Sequence, residues 1–274
     1  MRDPYLYPDT EVLKNLLGIR DSKKLQEAEG DYVTFRLSEI AEDDRMTGVF
    51  DFSALCRMHY RIFQDIYEWA GKPRIMNIEK IETVLNGISI EYSDVFDIKR
   101  DAEAVLKDMN HYGWEKASFD ETVRNFSDCM AKLWKAHPFR EGNTRTIVTF
   151  CAMFIEERGI YIDSELFKDN AEYMRDALVA ASAVFSDLGD RRKPEYLYRI
   201  VEDALERGKE LEEDAARRIM EAGYLAGKEQ IRKVIFRERW QCRKYSAGEI
   251  RQLLKHKEKE EPERERQERE FKHT

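Results

Sequence analysis

His137-Pro138-Phe139-Arg140-Glu141-Gly142-Asn143-Thr144-Arg145 is the stretch on which the reading of this chain turns. It joins two segments of helical periodicity. On its N-terminal side Phe119 to Ala136 sets Phe119, Val123, Phe126, Met130 and Leu133 on one face. On its C-terminal side a second helix is predicted from about Asn143 to Arg158, closed by Gly159. A helix start presents unpaired N–H groups and a partial positive charge, so it suits an anion. Gly142 lets backbone approach a phosphate, Asn143 can cap the helix, and Arg145 adds a charge-assisted donor in the first turn. Glu141 supplies a hard oxygen of the kind magnesium prefers. His137 has an ordinary pKa of about 6.5, close to that of a useful base at neutral pH.

Working outward, the pattern is helical almost throughout. A short helix is expected over 9–18, a more charged one over 21–42, and an amphipathic one from Phe52 to Trp69, stopped by Gly71-Lys72-Pro73. Residues 75–92 differ. Ile75, Ile78, Ile81 and Val84 precede Asn86-Gly87, and Ile88, Ile90 and Tyr92 alternate after it, which predicts one small β-hairpin. Helices are expected again over 97–110, from Ser164 through Phe185, and from Pro194 to Arg207. The fold class is therefore all-α with one hairpin.

After Gly208 the character changes. Residues 209–254 stay helix-prone, with Ile219, Leu225, Ile231 and Ile235 as anchors, and from Lys255 the chain is nearly all Lys, Arg and Glu. That divides the chain into a domain over 1–208 and a charged helical or disordered extension over 209–274.

Composition excludes several classes. The 274 residues carry a net charge of −8, which argues against a general nucleic-acid binder. The four cysteines, Cys56, Cys129, Cys151 and Cys242, form no CxxC pair and read as free thiols, with Cys129 and Cys151 as small buried hydrophobes. No signal peptide and no membrane-length apolar run is seen, so a soluble cytoplasmic protein is expected. There is no GxxxxGK[ST], GxGxxG or HExxH motif, and His59, His111, His256 and His273 are too scattered to suggest a metal cluster.

The segment 137–145 resembles the signature loop of the Fic family, written HPFx[DE]GN[GK]R with a further Arg three residues on. His137, Pro138, Phe139, Glu141, Gly142, Asn143 and Arg145 match it. The N-terminal YLYPDTEVLKNLLGI, the segment FQDIYEWAGKPR over 63–74, the hairpin and the helix into His137 follow the family's order, so the resemblance covers roughly 1–208. It implies a Fic-type helical domain whose hairpin is a flap beside the active site. It implies transfer of AMP from ATP to a Thr, Tyr or Ser hydroxyl of a target protein, with magnesium. His137 would deprotonate the hydroxyl, Glu141 would hold the metal, and Gly142, Asn143, Thr144 and Arg145 would lie on the phosphates. The target segment would dock on the 75–92 hairpin by strand addition.

Two positions depart from the family pattern. Thr144 stands where Gly is usual and Val148 where the second Arg is usual. Relatives with altered loops transfer a phosphate or phosphocholine, and a catalytically silent nucleotide- or partner-binding protein is the further alternative. Arg140, Arg74 or Lys72 are the candidates to supply the missing cation. The family's inhibitory segment reads [ST]xxxE[GN]; Glu29-Gly30 matches its end, but Leu25 occupies the Ser/Thr position, so no internal brake is expected. That leaves room for a separate small antitoxin-like partner.

Overall fold

The computed structural model describes residues 3–42, 48–241, 245–252 and 254. It divides into two compact units, Met1–Arg207 and Gly208–Thr274. The order in the first unit is α1 (Ser22–Glu42), α2 (Phe52–Phe63), α3 (Ile98–His111), α4 (Phe119–Ala136), α5 (Asn143–Glu157), α6 (Ser164–Asp169), α7 (Ala171–Ala181), β1 (Val184–Phe185), β2 (Gly189–Asp190) and the start of α8 (Glu195–Glu221).

The core is built around α4 and α5. Ser118 and Glu121 close a capping box that starts α4, so two backbone donors that a helix start leaves unpaired are satisfied. Phe126, Met130, Leu133 and Trp134 of α4 and Ile147, Phe150, Cys151 and Phe154 of α5 are all essentially inaccessible to solvent. Leu55, Met58, Ile62 and Phe63 of α2 complete the layer beneath the loop that joins α4 to α5. Asp51 caps α2 by accepting the Ala54 N–H at 2.7 Å. Val148 lies in this core, so its side chain helps fill the interior.

The mainly helical fold with one small antiparallel strand pair holds, but the pair is not where the alternation placed it. The strands are β1 and β2, with Val184 opposite Asp190 and Phe185 opposite Gly189. Over 75–92 the described backbone carries no ladder. Asn86 (φ 55°) and Gly87 (φ 89°) close a short 3-10 turn at Thr83–Leu85, and the Gly87 N–H returns to the Glu82 carbonyl at 3.0 Å. The Asn-Gly pair thus ends a helical turn rather than forming the two-residue corner of a hairpin. The Ser89 hydroxyl, rather than a facing carbonyl, takes the Lys80 N–H. The segment still folds back on itself as a flap, without paired strands.

Other boundaries shift for local reasons. Residues 9–18 form no helix, because the Asn15 side chain bonds the Leu13 and Ile19 carbonyls and the Ile19 N–H, an alternative to helical pairing. Leu6 and Leu13 instead make an isolated antiparallel bridge. The helix expected from Ser164 to Phe185 breaks at Asn170 into α6 and α7, and Asp163 rather than Ser164 provides the cap. Gly208 does not end α8, which runs on to Glu221.

In the second unit Arg218 ties α8 to α9 (Lys228–Gln241) through Glu238. Ile219, Ile231, Val234, Ile235 and Ile250 are buried, whereas Leu225, expected as an anchor, is 91% exposed. The charged stretch from Lys255 and Cys242 lie outside the described residues. Cys151 is buried and Cys56 and Cys129 are partly so; none of the three is in a disulfide. Among the described residues no helix is long and apolar enough to cross a membrane.

Candidate active site

The loop between α4 and α5 is held from both sides in a conformation its sequence disfavours. His137 terminates α4 in the left-handed region (φ 46°, ψ 58°), which costs a residue with a side chain about 1 kcal/mol or more. A following proline makes helical conformations harder still. Two outside groups stabilise it. Arg74, almost wholly buried, donates Nε to the His137 carbonyl at 2.9 Å, and its backbone N–H donates to the Pro138 carbonyl at 2.8 Å. The same guanidinium bonds the Met76 carbonyl at 2.7 Å and the Ser93 carbonyl, so it pins both ends of the flap to the loop.

Asn143 closes the loop internally. Its Oδ1 accepts the Phe139 N–H at 2.9 Å and its Nδ2 donates to the Phe139 carbonyl at 2.7 Å. The Asn143 side chain is therefore committed to loop shape, and only its backbone N–H remains for a phosphate. Gly142 precedes α5 at φ 79°, and a β-carbon there would overlap the Phe63 ring. Glycine is required on both counts.

His59, one of the scattered histidines of the sequence, belongs to this frame. It accepts the Gly71 N–H at Nδ1 (2.8 Å), which leaves Nε2–H to donate to the Glu141 carbonyl at 3.0 Å. Its ring stacks on Phe139 at 3.8 Å. Burial pushes its pKa down to about 3, so it is a neutral structural donor.

At the mouth of α5 the candidate residues come together. Glu141 is half-buried and its Oε1 accepts the Gly142 N–H at 3.1 Å. Lys80, from the flap, places Nζ 3.2 Å from Glu141 Oε2. Burial pushes the Glu141 carboxyl up, but Lys80, the Gly142 N–H and Arg145 together outweigh it and hold it below its ordinary value. Arg145 lies over the Phe63 ring at 5.0 Å and is ion-paired with Glu29 of α1, whose other oxygen accepts the Tyr67 hydroxyl. Thr144 Oγ1 accepts the Trp134 indole N–H at 2.9 Å, a bond that glycine at this position could not make.

His137 is 2% exposed, with neither ring nitrogen hydrogen-bonded. Burial, then the nearby Lys80 and Arg74 cations, lower its pKa well below 6.5, so the imidazole is neutral. Of the cations suggested for the phosphates, Arg140 is engaged by Asp3 at 2.8 Å, Arg74 by carbonyls, and Lys72 is exposed. Lys80 is the flap cation that reaches the site, and its position in sequence carried no sign of that. Leu25, at the Ser/Thr position of the inhibitory pattern, faces the core, and the contact with Arg145 depends on Glu29 itself.

Beside the flap a cavity of about 440 Å³ is lined by Val84, Leu85, Ile88, Tyr173, Ala177 and Tyr196 among others, with Arg191 and Lys193 also on its wall. No group of three or more His, Cys, Asp or Glu that could hold a metal occurs among the described residues. A single carboxylate fits magnesium only when phosphate oxygens and water complete the shell, which is the usual arrangement for that ion.

Residues 49–155 match the family model described as Fic/DOC family. A probable protein adenylyltransferase of Sinorhizobium fredii, y4lH, is 33% identical over 163 residues, covering 60% of this chain and 80% of that protein. The chain belongs to the Fic/DOC family. The protein adenylyltransferase VbhT of Bartonella schoenbuchensis is also 33% identical over 162 residues, 59% of this chain. The chain spans only 32% of the length of VbhT, so the match is to one part of a larger relative. Among solved structures, BepC of Bartonella tribocorum with bound AMPPNP aligns with a TM-score of 0.60 at 24% identity, over 73% of this chain and 95% of that one. A Fic domain of Bartonella quintana with bound ADP gives 0.60 at 23% identity, over 73% and 93%. At that identity the likeness establishes a common Fic fold.

Proposed function

We propose that this Fic protein is a protein adenylyltransferase that moves AMP from ATP to a Thr, Tyr or Ser hydroxyl of a target protein. The observation that carries the reading is the arrangement at one helix start: a neutral imidazole with two unpartnered nitrogens, the Glu141 carboxylate, and the first turn of α5 with Arg145.

The phosphates of ATP lie against the free N–H groups of Asn143, Thr144 and Arg145 in the first turn of α5, where Gly142 lets the backbone approach closely. Glu141 would hold magnesium, which when bound neutralises phosphate charge. The acceptor hydroxyl attacks the α-phosphorus, forming an oxygen–phosphorus bond. The bond from that phosphorus to the bridging oxygen breaks and pyrophosphate leaves. The hydroxyl proton passes to a ring nitrogen of His137, which is neutral and so has a lone pair to take it. Positioning and charge neutralisation, more than covalent work by the protein, are what such transfers require.

Arg145 must exchange Glu29 for phosphate, so the ion pair acts as a restraint on nucleotide binding even though the inhibitory motif is incomplete. The target segment is assigned to the flap, where Ile75 and Ile81 are 71% and 85% exposed.

Thr144 and Val148 favour a second reading, transfer of another phosphate-containing group, because no second arginine projects from α5. ATP labelled at the α-phosphate, compared with ATP labelled at the γ-phosphate, separates the two in a target lysate. Protein-bound label from the α position alone supports adenylyl transfer; label from the γ position alone replaces it with phosphate transfer.

A further inference from the structure

His137 has no polar side chain to orient it, since both ring nitrogens are buried without a hydrogen bond. Two aromatic rings hold it instead. Trp134 meets it edge-on, with centroids 5.2 Å apart and planes at 88°, and Tyr92 covers it at 4.0 Å and 31°. Trp134 is part of α4, and its indole bond to Thr144 ties it to α5. Tyr92 has no such helical anchor; it comes from the C-terminal arm of the flap.

What fixes Tyr92 is a buried ion pair. Its hydroxyl donates to Glu82 Oε1 at 3.1 Å. The Glu82 side chain is wholly inaccessible to solvent, and both its oxygens are held by Arg175 of α7, at 2.7 and 3.0 Å. A carboxylate removed from water is costly unless paired and hydrogen-bonded, and a two-point guanidinium contact fixes its direction as well as its charge. Burial and the adjacent Glu82 carboxylate push the Tyr92 phenol far up, so it remains a donor at any working pH. Three contacts in series therefore run from a packed helix to the face of the imidazole.

We propose that Arg175, Glu82 and Tyr92 form a positioning relay that holds the His137 imidazole in place and shields it from water. The proposal deepens the reading of His137 as the base and rests on it. Tyr92 is a positioning residue in this scheme, acting through His137, while Glu82 and Arg175 act through Tyr92. The charged groups around the imidazole are Lys80 and Arg74 from the flap, Arg175 from α7, and the Glu82 and Glu141 carboxylates that face Tyr92. Three of these are cations that disfavour the imidazolium, and burial acts in the same sense. Opening the Tyr92 side to water thus moves the His137 titration up toward the ordinary imidazole range.

The test uses the full chain with carbon-labelled histidine, in wild type and in Tyr92→Leu, Tyr92→Phe and Arg175→Gln. Circular dichroism establishes folding, an NMR pH titration follows the His137 ring, and kcat and KM for ATP are measured separately. In Tyr92→Leu the titration moves upward and kcat falls by roughly 10- to 100-fold with KM for ATP little changed, as expected when a reacting group is misplaced. Tyr92→Phe, which keeps the ring and loses its tether, lies between that variant and wild type. Arg175→Gln shifts the titration in the same direction and provides the test should Tyr92→Leu not fold. A folded Tyr92→Leu or Arg175→Gln with an unchanged His137 titration overturns the relay. Should the wild type transfer no AMP, the titration still decides: a shift upholds the relay while the chemical reading fails.

Discussion

Replacing Glu29 by alanine frees Arg145 at the mouth of α5 and should tighten nucleotide binding. Glu29 is 11% exposed at its side chain and Arg145 36%, so the ion pair stands partly shielded at the edge of the site. Hydrogen bonds to charged groups contribute about 1.5–3 kcal/mol net, and the exposure of Arg145 reduces that toward about 1–2 kcal/mol. In the wild type a phosphate must first displace Glu29; in the variant that cost is gone. At 1.4 kcal/mol per tenfold, the dissociation constant for a non-hydrolysable ATP analogue should fall by about 5- to 30-fold. Calorimetric titration in the presence of magnesium measures it directly. The loss also leaves the buried Tyr67 hydroxyl without its acceptor, so melting is followed in parallel. An unchanged or weaker affinity in a folded Glu29→Ala protein would refute the claim that Arg145 is a phosphate ligand held in check by Glu29.

Three further outcomes are expected. Gly142→Ala combines a left-handed backbone with overlap on Phe63, and should lower stability by about 2–5 kcal/mol in denaturant titration; a loss under about 0.5 kcal/mol would mean the loop does not have this conformation. His59 is neutral in the fold, with a pKa near 3 against about 6.5 unfolded, so the unfolded chain binds the proton first on acidification. Stability attributable to His59 is full above pH 6.5 and declines as pH falls toward 3, by up to about 1.4 kcal/mol per pH unit, and a His59→Gln variant should show a flatter acid limb in urea melts. Lys80→Met removes the cation that competes for Glu141, so manganese binding followed by its electron spin resonance should tighten several-fold; equal or weaker binding would separate Lys80 from the metal site.

The loop between α4 and α5 could be read from sequence as the junction of two helices because its residues are consecutive and the helices on either side carry strong periodicity. The residues that pack around the loop could not. His59, Phe63, Arg74, Lys80 and Tyr92 lie 45 or more positions upstream of His137 and meet the loop only through tertiary packing, so no local spacing announces them. The Asn86-Gly87 pair misled because the same left-handed conformations serve a hairpin corner and the close of a 3-10 turn. The inhibitory pattern turns on the residue at Leu25, whose side chain is in the core, while the ion pair to Arg145 is made by Glu29 alone. Thr144, a departure from the family pattern, becomes intelligible once the Trp134 indole is seen bonded to its hydroxyl.

The central claim is that His137 accepts the proton in transfer of AMP to a protein hydroxyl. Intact mass spectrometry of the purified chain and of lysate targets, after incubation with ATP and magnesium beside a His137→Ala control, tests it most directly. A covalent gain equal to AMP that disappears in the His137→Ala protein is the predicted result. A gain equal to phosphate alone, an AMP adduct that persists without His137, or no adduct at all would contradict it.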